Sequence, residues 1–184
     1  GTGTYTALLG LKKYPGLELS AIVSMMDDGG SNRVIRDEFG LLPTSDLRQC
    51  IVALASDESD KTLRNLFTYR YNSGTGIIGM TFGNLFMAAL TDIYNGNQKK
   101  AIEETCKILR IKGKIIPVTY EKTNLIATYS NKKQVLGEHL IDDPGSGFSN
   151  ARIIDLDVVP RVKVNSDVLD AIKNADTIVL GPGD

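Results

Sequence analysis

The sequence has 184 residues, enough for one domain or one domain with a small insertion, and 42% hydrophobic residues to build a core. Its 21 Lys and Arg nearly balance 22 Asp and Glu, and the net charge of −1 gives no overall field for nucleic acid. No apolar run reaches the ~18 residues needed to cross a bilayer, and no signal peptide is visible. Cys50 and Cys106 lack the spacing of a zinc or disulfide framework, so they are interpreted as buried free thiols. These features predict a cytoplasmic protein without a membrane span.

The first half of the chain has mainly helical patterns. A glycine loop, Gly1–Thr4, leads into a helix at Tyr5–Lys13, and Leu19–Met25 follows as a short buried strand. Apolar spacing then predicts a series of helices with no strand between them, which indicates a helical cap beside a sheet. The helices are Ser31–Phe39, 44–55 (capped by Thr44 or Ser45), Lys61–Tyr71, Met80–Tyr94 and Gln98–Leu109.

The second half is richer in strands, with a β-rich segment at about 114–160. Lys114–Val118 and Thr177–Leu180 have the apolar character of buried strands. Between them, the patterns predict a hairpin of Leu125–Tyr129 with Gln134–Glu138, a loop at Asp143–Asn150, an extended run at Ala151–Val158, and a helix at Asp167–Asn174 capped by Ser166. The order predicts an α/β fold: three-layer and Rossmann-like, with a mainly parallel sheet, a helical segment and a small β-hairpin insertion.

Two glycine loops are candidates for binding phosphate. The first is Gly1-Thr2-Gly3-Thr4 at a helix start, where free N–H groups and the helix dipole attract anions and threonine hydroxyls add donors. Gly3 is expected to have a positive φ there. The second is Gly181-Pro182-Gly183-Asp184, which follows the predicted last strand. We expect both loops at one edge of the sheet, within roughly one nucleotide of each other, although each pattern also fits an ordinary tight turn.

The acidic loop Asp27-Asp28-Gly29-Gly30-Ser31 follows the first predicted strand. The carboxyl ends of strands line the ligand crevice of an open α/β sheet, so these residues are candidates for ligand binding. Asp28 is the candidate catalytic residue and metal ligand, because Mg²⁺ is often held by one or two carboxylates plus phosphates. An Asx-turn with a solvated second aspartate fits the same pattern.

Three other polar residues stand at informative positions. Asp46 lies in the first turn of a predicted helix, where the helix dipole favours a carboxylate. Asn84 opens an apolar helix, where its amide could contact a phosphate or sugar or be buried and satisfied. Both are candidates to complete the ligand pocket. His139 is the only histidine and is interpreted as structural or surface-exposed. A Ser–His–Asp or Cys–His hydrolase site would require it, so covalent hydrolase chemistry is not expected.

Four motifs in order resemble those of the 2-phospho-L-lactate transferase (CofD-like) and gluconeogenesis-factor (YvcK-like, UPF0052) family. They are GTGTYTALLGLKKY, MMDDGGSNRVIRDEFGLLPTSDLRQCIVALA, GMTFGNLFMAAL and ADTIVLGPGD, and they cover nearly the whole chain. The acidic-loop segment is closer to the gluconeogenesis-factor branch. The chain departs from that branch at Met80 (often His), at Arg33-Val34 (a second glycine) and in GPGD, usually GPGS.

The resemblance implies a cytoplasmic regulatory protein that binds a UDP-sugar and affects carbon metabolism, cell wall and cell shape. Its other branch implies a Mg²⁺-dependent transferase that attaches phospholactate (or phosphoenolpyruvate) to the deazaflavin precursor of coenzyme F420. An NAD(P)-binding dehydrogenase is a more distant alternative, with Asp27 or Asp28 holding the ribose. We interpret residues 1–184 as one nucleotide-binding domain truncated at both ends. Its expected partner is a nucleotide sugar or nucleoside diphosphate, and a homodimer is compatible with the sequence.

Overall fold

A computed structural model describes residues 2–56, 61–148 and 151–182. It begins with helix α1 (Thr2–Leu11) and strand β1 (Ser20–Val23). Among the described residues five helices follow before the next strand, which confirms the predicted helical cap. They are α2 (Gly30–Phe39), α3 (Ser45–Leu54), α4 (Lys61–Thr68), α5 (Phe82–Ile93) and α6 (Gln98–Ile108). Strand β2 (Lys114–Pro117) then pairs in parallel with β1, Ser20 opposite Lys114 and Val23 opposite Pro117.

Helix α3 lies at the centre of the core, because it packs against α1, α4, α5 and both parallel strands. Leu47, Ile51 and Leu54 are fully buried on it, and they join Val23 and Met25 from the end of β1. Burying such side chains contributes about 1.5–3 kcal/mol each. This packing fixes the carboxyl end of β1 beside the start of α3.

The two cysteines agree with their interpretation as free thiols. Cys50 is buried and Cys106 half-buried, and neither is in a disulfide. Burial raises the pKa of Cys50 to about 11 and that of Cys106 to about 12. Both thiols are therefore protonated near neutral pH, which makes them poor nucleophiles and metal ligands.

The predicted hairpin is the edge of a three-stranded antiparallel sheet. Its strands, in the spatial order β4–β3–β5, are β3 (Asn124–Tyr129), β4 (Gln134–Leu136) and β5 (Ile153–Val159). Between β4 and β5 lie a short helix α7 (Glu138–Asp142), which sequence patterns did not predict, and a 3-10 turn at Ser146–Phe148. Helix α8 (Ser166–Lys173) follows and contacts β2.

The α/β fold class is confirmed. In the described residues two strands pair in parallel and three pair antiparallel, so the strands are mixed rather than mainly parallel. The local predictions for Thr177–Leu180 and Ser166 were wrong. Thr177–Leu180 is not a strand, because no strand of the described residues lies beside this run to pair with it. The run is exposed, and Leu180 has 91% of its surface accessible. Ser166 does not cap α8, since Asn165 accepts the hydrogen bond from the Asp167 N–H instead. In the described part of the chain no helix is long and apolar enough to cross a membrane.

Candidate functional site

The two glycine loops meet in the structure. A Cβ atom at Gly3 would overlap the Pro182 carbonyl oxygen and would lie 2.8 Å from Pro182 Cγ. A Cβ at Gly181 would lie 2.9 Å from Thr4 Oγ1. The expectation of a positive φ at Gly3 was wrong: Gly3 lies in the first turn of α1 and is not among the left-handed residues. A glycine is needed there because two backbones approach each other.

Some predicted phosphate-binding residues cannot be placed. Gly1, Gly183 and Asp184 lie outside the described residues, as do the side chains of Thr2 and Ser31. The contact between the loops therefore rests on Gly3 and Thr4 on one side and Gly181 and Pro182 on the other.

Asp27 forms the turn that leads from β1 into α2. Its Oδ1 accepts a hydrogen bond from the Gly29 N–H at 2.9 Å, and the Asn32 side chain donates a second. Gly29 is the N-cap of α2, and Gly30 begins the helix with φ +48°. Burial raises the pKa of Asp27, with a further contribution from the negative charge of Asp46. The turn is thus an Asx-turn, as the alternative interpretation expected, but its carboxylate is half-buried beside other acids.

Asp28 connects the acidic loop to the β-rich segment. Its Oδ1 accepts a hydrogen bond from the backbone N–H of His139, at 2.9 Å, in the first turn of α7. Gly137 lies so close that a Cβ there would be 2.5 Å from Asp28 Oδ2. His139 contributes its backbone to this contact, which agrees with a structural role. The partnership joins residues 111 positions apart and was missed by sequence reasoning.

Glu138 completes a group of carboxylates with Asp27, Asp28 and Asp46. Burial raises its pKa, followed by the negative charges of Asp27, Asp28, Asp142 and Asp46 in that order. These oxygen ligands suit Mg²⁺, which binds through one or two carboxylates and substrate phosphates. Yet no three such side chains among the described residues are grouped closely enough to hold a metal by themselves. Mg²⁺ bound here would take its remaining ligands from phosphate oxygens and water.

Asn32 links the acidic loop to the start of α3, a role that no sequence motif indicated. It is 1% exposed, and its Oδ1 accepts hydrogen bonds from the backbone N–H groups of Thr44 and Ser45 at 3.2 and 3.1 Å. Thr44 is the N-cap residue, but its side chain makes no capping bond. Its buried Oγ1 has no hydrogen-bond partner among the described residues. A buried hydroxyl without a partner is uncommon in folded proteins, and this one can donate to or accept from a ligand at the start of α3.

Asn84, a predicted ligand residue, lies fully buried between α3 and α5. Its Oδ1 accepts from Arg48 Nε at 3.1 Å, and its Nδ2 donates to Ser45 Oγ at 3.1 Å. Arg48 also donates to the Phe67 carbonyl at 3.4 Å, and burial lowers the pKa of its guanidinium. The structure thus favours the buried, satisfied amide, with Asn84 acting on the site through Ser45 at the start of α3.

The family described as 2-phospho-L-lactate transferase CofD matches residues 1–184. The chain belongs to the CofD family. Two relatives called putative gluconeogenesis factor are 39% identical in Nostoc sp. and 41% identical in Aquifex aeolicus, across all of this chain. The gluconeogenesis factor of Bacillus subtilis is 33% identical over the same extent.

A solved structure gives the same result for the fold. A Bacillus halodurans protein of the UPF0052 family superposes with a TM-score of 0.89 and 35% identity, over all of this chain. This CofD-family chain covers 38% of the Nostoc relative and 55% of the Aquifex one, so it spans about half the length of relatives that it matches. The resemblance in the four motifs is confirmed, and the fold is that of the family.

The crowding of carboxylates predicts a pH-dependent gain in stability for Glu138→Gln. A raised pKa means that the folded state binds the proton more tightly than the unfolded state, so the charged form costs stability above the folded pKa. We expect a small rise in Tm at pH 7 that disappears as the pH falls below the usual glutamate value of 4.5. Thermal melts of both proteins from pH 4 to 8 measure it, and an equal gain at every pH would contradict the charge explanation.

Proposed function

We propose that this chain is the nucleotide-binding part of a UDP-sugar-binding regulatory protein that acts in the cytoplasm on carbon metabolism, cell wall and cell shape. The observation that carries the proposal is the contact of Gly3 and Thr4 with Gly181 and Pro182. Where the two glycine loops touch, Gly3 and Gly181 have no side chain to cover the backbone N–H groups, and uncovered N–H groups at a helix start suit a diphosphate. The relatives named gluconeogenesis factor support the link to carbon metabolism.

The acidic loop would recognise the sugar. The start of α1 and the end of β1 belong to one edge of the sheet, because a helix that returns the chain to the next parallel strand begins where the strands end. In this arrangement the phosphates lie on Gly1–Thr4 and Gly181–Asp184, and Asp28, with Asp27, accepts hydrogen bonds from sugar hydroxyls. The buried Thr44 hydroxyl, near Asp46 at the start of α3, offers an unused polar group to the same ligand.

The second candidate is the reaction of a 2-phospho-L-lactate transferase, and the group of carboxylates favours it. Bound Mg²⁺ would neutralise the diphosphate leaving group. Asp28 would hold the metal together with the phosphates, and an aspartate of the same acidic loop would accept the proton of the acceptor hydroxyl. Burial, with a contribution from neighbouring carboxylates, raises the pKa of Asp27 and of Glu138, and a bound cation would lower both again.

Calorimetry on the full chain separates these candidates. UDP-N-acetylglucosamine is titrated with and without Mg²⁺, and heat with a thermal shift in both cases is expected for the regulatory protein. The absence of heat and of any thermal shift at millimolar ligand would refute the proposed function. Binding of nucleoside diphosphate only with Mg²⁺, with phospholactyl transfer to the deazaflavin, would establish the enzyme instead.

Asp28→Asn should weaken binding far more than it lowers the melting temperature. The asparagine Oδ1 can still accept the His139 N–H, so the link to α7 survives, while the negative charge is lost. We expect at least a tenfold loss of affinity, about 1.4 kcal/mol, with a Tm change of a few degrees or less. Asp142→Asn, which removes an exposed carboxylate at the far end of α7, is the matched control and should bind normally. Parallel losses of affinity and Tm in Asp28→Asn would show that Asp28 serves only the turn.

A further inference from the structure

A cavity of about 380 Å³ lies away from the acidic loop and the glycine turns. It is formed by α6, the start of β2 and the N-terminal end of α8, and none of the residues proposed for the nucleotide site lines it. Its floor is apolar, with Ile102, Ile111 and Ile115, and Tyr120 lies beside them. A volume of this size is at the lower end of the range that holds small metabolites.

The rim of this cavity carries an excess of positive charge, although the whole chain has a net charge of −1. Four cations and two anions line it, the anions being Glu103 and Asp167. Lys99 is paired with Asp167 at 3.0 Å, and Lys107 is paired with Glu104 at 2.8 Å. The other two cations, Arg110 and Lys114, are exposed and form no side-chain hydrogen bond or ion pair with any described residue.

Arg110 occupies a backbone position that favours glycine. Helix α6 ends in a Schellman motif, in which the Arg110 N–H donates to the Lys107 carbonyl and the Ile111 N–H donates to the Cys106 carbonyl. Arg110 is the left-handed residue of this motif, with φ +47°. A large side chain held in that conformation suggests a function for the side chain. Attraction to the carboxyl end of the helix is the competing explanation, and it requires no ligand.

We propose that this cavity binds a small organic phosphate, with its phosphoryl group held by Arg110 and Lys114. An arginine fork and a lysine are the pair of donors that phosphate recognition uses most. The organic part lies on the isoleucine floor, and its hydroxyl groups bond to Tyr120 and to the Glu103 carboxylate. The site is separate from the nucleotide site, so it stands whether or not the chain binds a UDP-sugar.

Methyl NMR of the full chain tests the proposal at the cavity itself. Glycerol 3-phosphate is titrated at constant ionic strength, with glycerol and inorganic phosphate in parallel. The δ1 methyl signals of Ile102, Ile111 and Ile115 should shift with glycerol 3-phosphate, less with phosphate and not with glycerol. Shifts that are confined to other parts of the protein would overturn the proposal, and equal affinity for inorganic phosphate would overturn the assignment of an organic ligand.

Two glycine variants distinguish the ligand from the helix-end explanation. Arg110→Gly removes the cation and relieves the left-handed backbone, so it should keep or raise the Tm while lowering the affinity for glycerol 3-phosphate at least tenfold. Lys132→Gly is the matched control, because Lys132 is also a cation with positive φ, at 63°, but lies in the hairpin turn. It should leave the isoleucine shifts intact. Unchanged binding in Arg110→Gly would refute the site. Equal weakening in both variants would also refute it, because the loss of affinity would then come from the lower positive charge of the protein surface.

Discussion

The Asn84→Leu variant is expected to melt about 10 °C below the parent protein. The substitution removes the oxygen that accepts from Arg48 Nε and leaves a guanidinium in a buried place with one fewer partner. Leaving a buried, charged donor without its acceptor typically costs about 3 kcal/mol or more. That is a large part of the roughly 5–15 kcal/mol that stabilises a domain, and each kcal/mol moves Tm by about 2–4 °C at this chain length.

A double substitution tests whether the lower Tm of Asn84→Leu comes from the unpaired Arg48 guanidinium or from the leucine at position 84. In Asn84→Leu with Arg48→Met, donor and acceptor are both replaced by apolar side chains of similar length, so no buried charge is left without a partner. We expect the pair to be more stable than Asn84→Leu alone. Asn174→Leu, at an exposed helix end where the amide bonds only within α8, should change the free energy of unfolding by about 0.5 kcal/mol or less. Destabilisation equal to the sum of the two single variants would mean that Arg48 and Asn84 do not act together.

Helix positions and the ends of the first strands could be predicted from the sequence, because they depend on local spacing. The position of the acidic residues after β1 also followed, since parallel strands present their carboxyl ends at one edge. The closeness of the two glycine loops was predicted as well, although its premise, a strand before the second loop, is not met in the described residues. Thr177–Leu180 shows the limit of this reasoning. An apolar run indicates that a segment can be buried, but a strand also needs a neighbour for its N–H and C=O groups, and the described residues provide none.

The partners within the candidate site could not be predicted. Asp28 binds a backbone N–H 111 positions away, in a helix too short to give an apolar pattern. Asn32 caps α3 from another helix, and nothing in its sequence neighbourhood distinguishes it from an exposed asparagine. Asn84 follows Gly83, where a Cβ would lie 2.6 Å from Arg48 Cδ and 2.7 Å from the Phe67 carbonyl oxygen. That glycine lets α5 approach both α3 and α4, so the GN pair in this helix specifies packing before it specifies a ligand.

Gly3→Ala is expected to weaken ligand binding strongly, although it adds only one methyl group to the first turn of α1. The added methyl group would overlap the Pro182 carbonyl oxygen. Since that atom belongs to the backbone, no rotation of a side chain relieves the overlap, and the loop after residue 180 has to move. This loop is exposed, so we expect the free protein to fold and to melt only a few degrees lower.

Binding should suffer more, because both glycine turns would contact the same diphosphate. Displacing one turn removes N–H donors from the ligand, and the methyl group takes space next to the phosphate. The expected loss of affinity for a nucleotide sugar is at least tenfold, about 1.4 kcal/mol. Calorimetric titration of the full chain measures it.

Gly10→Ala supplies the control within the same helix. A Cβ at Gly10 meets nothing within 4 Å, so alanine there should bring only the helix-propensity gain of about 0.5–1 kcal/mol and leave binding unchanged. Gly3→Ala should gain part of the same propensity, so its lower Tm would measure the contact with Pro182 directly. If Gly3→Ala binds like the parent protein, the GTGT turn serves packing alone. The phosphate would then have to lie on Gly181–Asp184 without help from α1.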